Sequence, residues 1–174
     1  MNEIKLFITD IDGVWTDGGM YYDNDGNECK KFNTSDSAGV LFLKLLQIPV
    51  AIITGEQTAI VERRAKKLGI DELYMGVKHK VSVAEGICAK MGICLDQVAY
   101  IGDDINDMQL LKLVGLSAAP SNAPDYIKSL VHWPLPVAGG DGAFRAFVER
   151  YLHHHHLMEI VLKKFHEQTE GFKQ

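Results

Sequence analysis

Little in this chain supports the protein classes that composition most readily betrays. Its cysteines, Cys29, Cys88 and Cys94, are odd in number and lack metal-ligand spacing, so they read as reduced thiols and not as a disulfide framework or zinc site. No apolar run approaches the roughly 20 residues that a helix needs to cross a bilayer. Positive charge is in deficit. The 18 Lys and Arg stand against 23 Asp and Glu, a net charge of -5, which gives no broad footprint for nucleic acid. Met1-Asn2-Glu3-Ile4-Lys5 lacks a secretory pattern, and a cytoplasmic setting is expected. No Gly-x-Gly-x-x-Gly follows the first apolar run, which argues against a dinucleotide-binding dehydrogenase. With no internal repeat or linker-like segment, residues 1–174 are expected to form one domain.

What is present is organised around Leu6-Phe7-Ile8-Thr9-Asp10-Ile11-Asp12-Gly13-Val14. An apolar run that stops in two carboxylates and a glycine reads as a buried parallel strand. Ligands of open α/β sheets bind at that carboxyl end. Two such close carboxylates repel unless a cation lies between them or one is protonated. This suggests a hard metal such as Mg2+, with one Asp serving as nucleophile or acid. A strand followed by a plain Asp-Gly turn is the competing reading.

Asn24-Asp25-Gly26-Asn27, between two strand-like runs, signals a hairpin. A helix is expected over roughly 36–47, then a buried strand Val50–Ile53 ending in Thr54-Gly55-Glu56. The next helix should turn Ile60, Ala65 and Leu68 inward and stop at Gly69. A short strand at Glu72–Met75 leads to Lys80, and a helix with Ala84, Ile87, Cys88 and Met91 at core spacing follows. Gln97–Ile101 reads as a buried strand ending in Gly102-Asp103-Asp104-Ile105-Asn106-Asp107. A helix over 106–114, a strand Leu116–Ala119, a helix near Pro124–Leu130 and a strand Val131–Trp133 complete the alternation. Strands alternating with helices predict an α/β fold with a doubly wound parallel sheet. The tail, about 143–170, is predicted helical, with Leu157, Ile160, Val161, Lys164 and Phe165 docking on the body. If the helix ran through His153–His156, Glu149, His153 and His156 would share a face; a solvated histidine face is preferred over a metal site.

Four polar clusters thus fall at strand ends: Asp10/Asp12, Thr54, Lys80 and Asp103/Asp104/Asp107. Carboxylates for a metal, a hydroxyl donor and a lysine are what a phosphoryl group needs. In this order they resemble the haloacid-dehalogenase superfamily over residues 4–150. The resemblance implies a Rossmann-like core with Asp10 as the nucleophile and Asp12 as general acid and base. It also implies Mg2+ on Asp10, the Asp12 carbonyl and Asp103, with Asp104 and Asp107 orienting the metal shell. Thr54 would bind a phosphate oxygen and Lys80 neutralise charge. The gaps between motifs leave no room for a cap domain.

Gly13–Gly18, Lys31–Asp36, Ile53–Gly55, Val98–Asp104 and Gly139–Ala143 further resemble the 3-deoxy-D-manno-octulosonate 8-phosphate phosphatases. That resemblance implies a homotetramer built on protruding hairpins (here about 14–32), acting on a sugar-acid phosphate. It implies substrate contacts from Thr34, Ser35, Gly55, Glu56, Arg64 and Lys67. Glu56 stands where octulosonate phosphatases usually carry Arg, which is similar to the branch acting on nine-carbon 2-keto-3-deoxy-nononate 9-phosphate. Arg64 and Lys67 are expected to pair with Glu56 or bind the substrate carboxylate. Trp15, Met20, Tyr21 and Tyr22 are the apolar hairpin residues expected between subunits. A phospho-accepting receiver domain is the non-enzyme alternative. It is disfavoured because a receiver phosphorylates an Asp after its third strand. A dead scaffold is disfavoured by the intact Asp10, Asp12, Lys80 and Asp103.

Overall fold

The computed structural model describes residues 3–171, so Met1 and Asn2 of the expected lead-in lie outside the described residues. Strand β1 (Leu6–Thr9) is followed by a two-stranded antiparallel hairpin, β2 (Tyr21–Tyr22) and β3 (Glu28–Cys29). Then come helix α1 (Asp36–Leu45), β4 (Val50–Ile53), α2 (Ala59–Leu68), β5 (Glu72–Tyr74), α3 (Lys80–Met91) and β6 (Val98–Ile101). The chain continues through α4 (Met108–Leu113), β7 (Leu116–Ala119), α5 (Asp125–Lys128), β8 (Trp133–Pro134), α6 (Ala143–His154) and α7 (Met158–Gly171). Six strands form one parallel sheet in the order β5-β4-β1-β6-β7-β8. This is the doubly wound α/β fold.

Strand alternation divides the core into two layers. Phe7, Ile52, Ala99, Ile101 and Ala118 meet the buried side chains of α1, α2, α6 and α7. Leu6, Ile8, Ala51, Ile53, Val98 and Tyr100 meet α3, α4 and α5 on the other face. The four residues of β1 are buried on both faces, which is why Leu6, Phe7 and Ile8 run without a polar interruption. Helix α6 is fixed by Phe144 and Phe147. Phe147 lies 5.4 Å from the Phe7 ring, and Phe144 lies 5.1 Å from Trp15. Each such burial contributes about 2–3 kcal/mol, more than the propensity of a 12-residue helix supplies.

Helix ends follow local chemistry. Thr58 accepts a hydrogen bond from Val61 N, and Gly69 closes α2 in the left-handed conformation. Gly142 precedes α6 and has no side chain to cap it. Asp36 of α1 does so instead, accepting from Arg145 N at 3.0 Å. Burial pushes Asp36 up to about 6, against the backbone donor and the charge of Arg64.

Several expectations need correction. Val61, not Ile60, joins Ala65 in the core, because residues four apart share one helix face. Met91 ends α3 exposed. The helix expected over 106–114 begins at Met108, because the preceding turn holds the site. At the sheet edge, His132 accepts from Ser117 N at 3.1 Å, and pairing starts only at Trp133. Trp15 is not on the hairpin surface: it is fully buried, with Nε1 donating to Thr9 Oγ1 at 2.8 Å. In the tail, α6 stops at His154 and His156 turns away with φ 56°, so Glu149, His153 and His156 share no helical face. Glu149 pairs instead with Arg145 at 2.8 Å. Helix α7 docks through Val161 and through a bond from Lys164 Nζ to the Leu45 carbonyl, while Ile160 and Phe165 stay exposed.

Candidate active site

Asp10 follows β1 directly and is only 5% exposed. One of its oxygens, Oδ2, lies 2.9 Å from Lys80 Nζ. The other, Oδ1, is buried without a protein partner among the described residues. Lys80 opens α3 and also reaches Asp107 Oδ1 at 2.6 Å. Burial works against the lysine's charge, but Asp10 and Asp107 outweigh it and hold the pKa above its ordinary value. Tyr100, inside β6, donates a very short hydrogen bond to the same Asp107 oxygen. Asp107 Oδ2 accepts from the backbone N–H groups of Asp103 (2.9 Å) and Asp104 (3.1 Å). Asp107 is therefore saturated: it anchors the loop and the lysine. Gly102 makes room for this, since a Cβ there would lie 2.5 Å from the Asp107 carboxyl carbon.

Carboxylate oxygens of Asp10, Asp103 and Asp107 lie within 4.8 Å of one another. Burial, then the charge of Asp107, pushes Asp10 up to about 7 despite Lys80. Burial, then Asp10, Asp107 and Asp104, pushes Asp103 up to about 8. Hard oxygen donors, mutual repulsion and an orphaned Asp10 oxygen together fit a divalent cation. Asp10 and Asp103 have lone pairs to offer it, whereas those of Asp107 are occupied.

Asp12 turns a different way. Its Oδ1 lies 2.7 Å from Lys30 Nζ, and its Oδ2 is buried and unpartnered among the described residues. Gly13 takes φ +77°, and a Cβ there would meet Asp103 Oδ2 at 1.9 Å. Glycine is needed because the two acidic loops touch. Thr54 is buried at the end of β4, with Gly55 and Glu56 at the rim. Asp10, Asp12, Thr54, Gly55, Glu56 and Asp103 share one cleft of about 230 Å³, closed on one side by Met20 of the hairpin. A larger cavity of about 810 Å³ lies by Ile4, Lys5, Ile48 and Pro49, at the amino ends of β1 and β4, away from every carboxylate of the site.

Other expected contacts fall elsewhere. Glu56 pairs with Lys30 at 3.1 Å, and not with Arg64 or Lys67. Arg64 Nη2 donates to the Asn33 carbonyl (3.2 Å) and Ser37 Oγ (3.1 Å). Its guanidinium lies 5.8 Å from the Trp15 ring and 5.7 Å from that of Phe32. Ser35 Oγ donates to Asn33 Oδ1 at 2.8 Å. Thr34 and Lys67 are exposed, and none of these four residues lines the cleft of its own chain. Sequence reasoning missed Lys30, Tyr100 and Asn122. Asn122 donates to the Gly13 carbonyl (3.1 Å) and accepts from Gly139 N (2.6 Å), clamping the catalytic loop.

The sequence profile of the haloacid dehalogenase-like hydrolases matches residues 71–147. The 3-deoxy-D-manno-octulosonate 8-phosphate phosphatase of Haemophilus influenzae is 37% identical over 152 residues, 87% of this chain and 84% of that protein. The crystal structure of the Moraxella catarrhalis 3-deoxy-D-manno-octulosonate 8-phosphate phosphatase, in complex with a magnesium ion, a phosphate ion and KDO, superposes with a TM-score of 0.89. It is 35% identical and covers 93% of each chain. The Yersinia pestis enzyme superposes with a TM-score of 0.86 at 38% identity, over 90% of this chain and 84% of that one. The chain belongs to this phosphatase family of haloacid dehalogenase-like hydrolases, and it is a phosphoric monoester hydrolase. No helix among the described residues is long and apolar enough to cross a membrane.

Proposed function

We propose that the protein is a cytoplasmic, Mg2+-dependent phosphatase that removes the terminal phosphate of a 3-deoxy-2-ulosonic acid. The observation that carries this is the buried Asp10–Lys80–Asp107 chain, with Asp103 beside it and Asp12 across the cleft. Asp10, held by Lys80, attacks phosphorus through a carboxylate oxygen as the ester P–O bond breaks. Asp12 gives its proton to the departing alkoxide oxygen. It then takes a proton from the water that cleaves the aspartyl-phosphate, and inorganic phosphate leaves. Lys80 holds Asp10 in place, and Thr54 offers a hydroxyl to a phosphoryl oxygen. Mg2+ on Asp10, Asp103 and the Asp12 carbonyl would supply positive charge against the phosphoryl oxygens. The family assignment removes the receiver reading.

The choice of acid turns on two observations. The names of the relatives favour the eight-carbon 3-deoxy-D-manno-octulosonate 8-phosphate. Glu56 favours the nine-carbon 2-keto-3-deoxy-nononate 9-phosphate. Since Lys30 pairs with Glu56, the carboxylate can accept hydrogen bonds from sugar hydroxyls with less repulsion of the acid. We expect kcat/KM in the wild type to favour the nine-carbon acid, and Glu56→Arg to narrow or reverse that preference. An unchanged ratio, with the eight-carbon acid preferred throughout, would return the substrate to that of the relatives.

Assembly completes the proposal. Met20, Tyr21 and Tyr22 are 51%, 46% and 65% exposed, a patch that is costly to leave in water. Hairpin packing in a homotetramer would cover it and bring Thr34, Ser35, Arg64 and Lys67 of one subunit towards the cleft of another. Light scattering should report about four chains per particle. A stable, fully active monomer would overturn the assembly.

A further inference from the structure

The hairpin delivers one more group to the chemistry. Lys30 follows β3 directly, and its side chain is 1% exposed although the hairpin strands stand in solvent. Its ammonium faces three carboxylates: Asp12 Oδ1 at 2.7 Å, Glu56 Oε2 at 3.1 Å and Glu28 Oε1 at 3.4 Å. Two of its three protons go to Asp12 and Glu56 as hydrogen bonds, while Glu28 is held at ion-pair distance only. The shortest contact is to Asp12.

We propose that Lys30 is a positioning residue for Asp12, locking one oxygen of that carboxylate so that the other is presented for proton transfer. The inference rests on Asp12 acting as the acid and base of the proposed phosphatase. Asp12 Oδ1 has Lys30 and, at 3.3 Å, the hydroxyl of Thr16. Asp12 Oδ2 has no partner among the described residues, so it is the oxygen left for the proton. The ammonium ties Asp12 and Glu56 together, at 2.7 and 3.1 Å. Glu56, at the start of the loop after β4, is its second anchor and fixes the hairpin against the sheet. A simple hairpin clip would need only Glu28 and Glu56 and leaves the shortest contact, to Asp12, without a purpose.

The consequence of losing the clamp is specific. Misplacing a catalytic group by about 1 Å costs roughly 100-fold, and a general acid matters most when the leaving group is a poor one. In Mg2+ buffer, Lys30→Met should lower kcat on a sugar-acid phosphate, whose leaving group is an alkoxide, by about 30- to 100-fold. On p-nitrophenyl phosphate, which departs with little help, the loss should be at least about tenfold smaller. Lys30→Arg should restore the alkyl rate to within about tenfold of wild type. If Lys30→Met does not fold, Lys30→Gln, which still donates to Asp12, should show the same leaving-group bias with a smaller loss. Equal losses on both esters would reduce Lys30 to a structural clip and overturn the proposal. So would a raised KM with unchanged kcat, which would make it a substrate-binding cation. Absence of wild-type turnover on the alkyl ester would defeat the phosphatase reading itself, and this inference with it.

Discussion

Asp10→Asn should lower phosphate release from every ester by roughly 10⁴-fold or more, without weakening the fold. The amide oxygen is a poor nucleophile, so no aspartyl-phosphate forms, and one of the two carboxylates free to hold a cation is lost. The fold should not suffer, because the native carboxylate is itself a strained occupant. Burial and the charge of Asp107 push it up to about 7, so above that pH its ionised form costs folding free energy, and below it the cost fades. An amide of the same shape removes this repulsion and leaves Lys80 paired with Asp107 at 2.6 Å. In metal-free buffer, melting at pH 8 should therefore match or exceed wild type. Phosphate release within tenfold of wild type would end the nucleophile assignment, whatever the melting temperature.

Gly139→Ala is the second large effect, and it comes from a residue that touches no substrate. A Cβ on Gly139 would lie 1.9 Å from the Gly13 carbonyl oxygen, 2.4 Å from its carbon and 2.8 Å from the Thr16 oxygen. These are backbone atoms of the loop that follows Asp12, so no side chain can swing aside. The loops must separate by more than 1 Å, which breaks the Asn122 clamp between Gly139 N and the Gly13 carbonyl. Overpacking of this kind costs about 1–3 kcal/mol, and the displacement of Asp12 should cut kcat by about 100-fold. Gly86→Ala is the matched control. It lies within α3 with open space around its Cβ, and it should leave activity unchanged while adding about 0.5–1 kcal/mol of stability. If Gly139→Ala behaves like Gly86→Ala in activity and melting, the clamp has no catalytic role.

The strand-end residues were legible because parallel sheets place function at fixed points along the chain. Asp10, Thr54 and Asp103 each stand at the end of a buried, largely apolar run, and β1, β4 and β6 are those runs. Tyr100 was not legible, because a tyrosine within a buried strand looks like core until its hydroxyl is seen on Asp107. Lys30 was hidden for the opposite reason. A Lys-Lys pair beside a hairpin reads as solvated, and only the fold of the hairpin onto Asp12 buries one of the two. Trp15 misled because an aromatic residue near an exposed hairpin suggests a surface patch. Its indole N–H finds Thr9, and that bond draws the ring into the core. Position along the helix suggests Arg64 and Lys67 as partners of Glu56 or as binders of the substrate carboxylate. Yet α2 starts one residue after Thr58, and its turn sends Arg64 to Asn33 and Ser37. Glu56 was left for a cation from another element.

The Asn122–Gly139 clamp also bears on the order in which the enzyme is made. The ribosome delivers β1 and its nucleophile first, and by Asp107 every group of the four motifs has emerged. Yet the Gly13 carbonyl accepts from Asn122, and Asn122 in turn accepts from Gly139 N. A nascent chain ending at Ser121 thus carries all of the chemistry and lacks the fastening that sets its distance. Residues 122–174, which contribute no catalytic group, are what turn the loop after β1 into a working site.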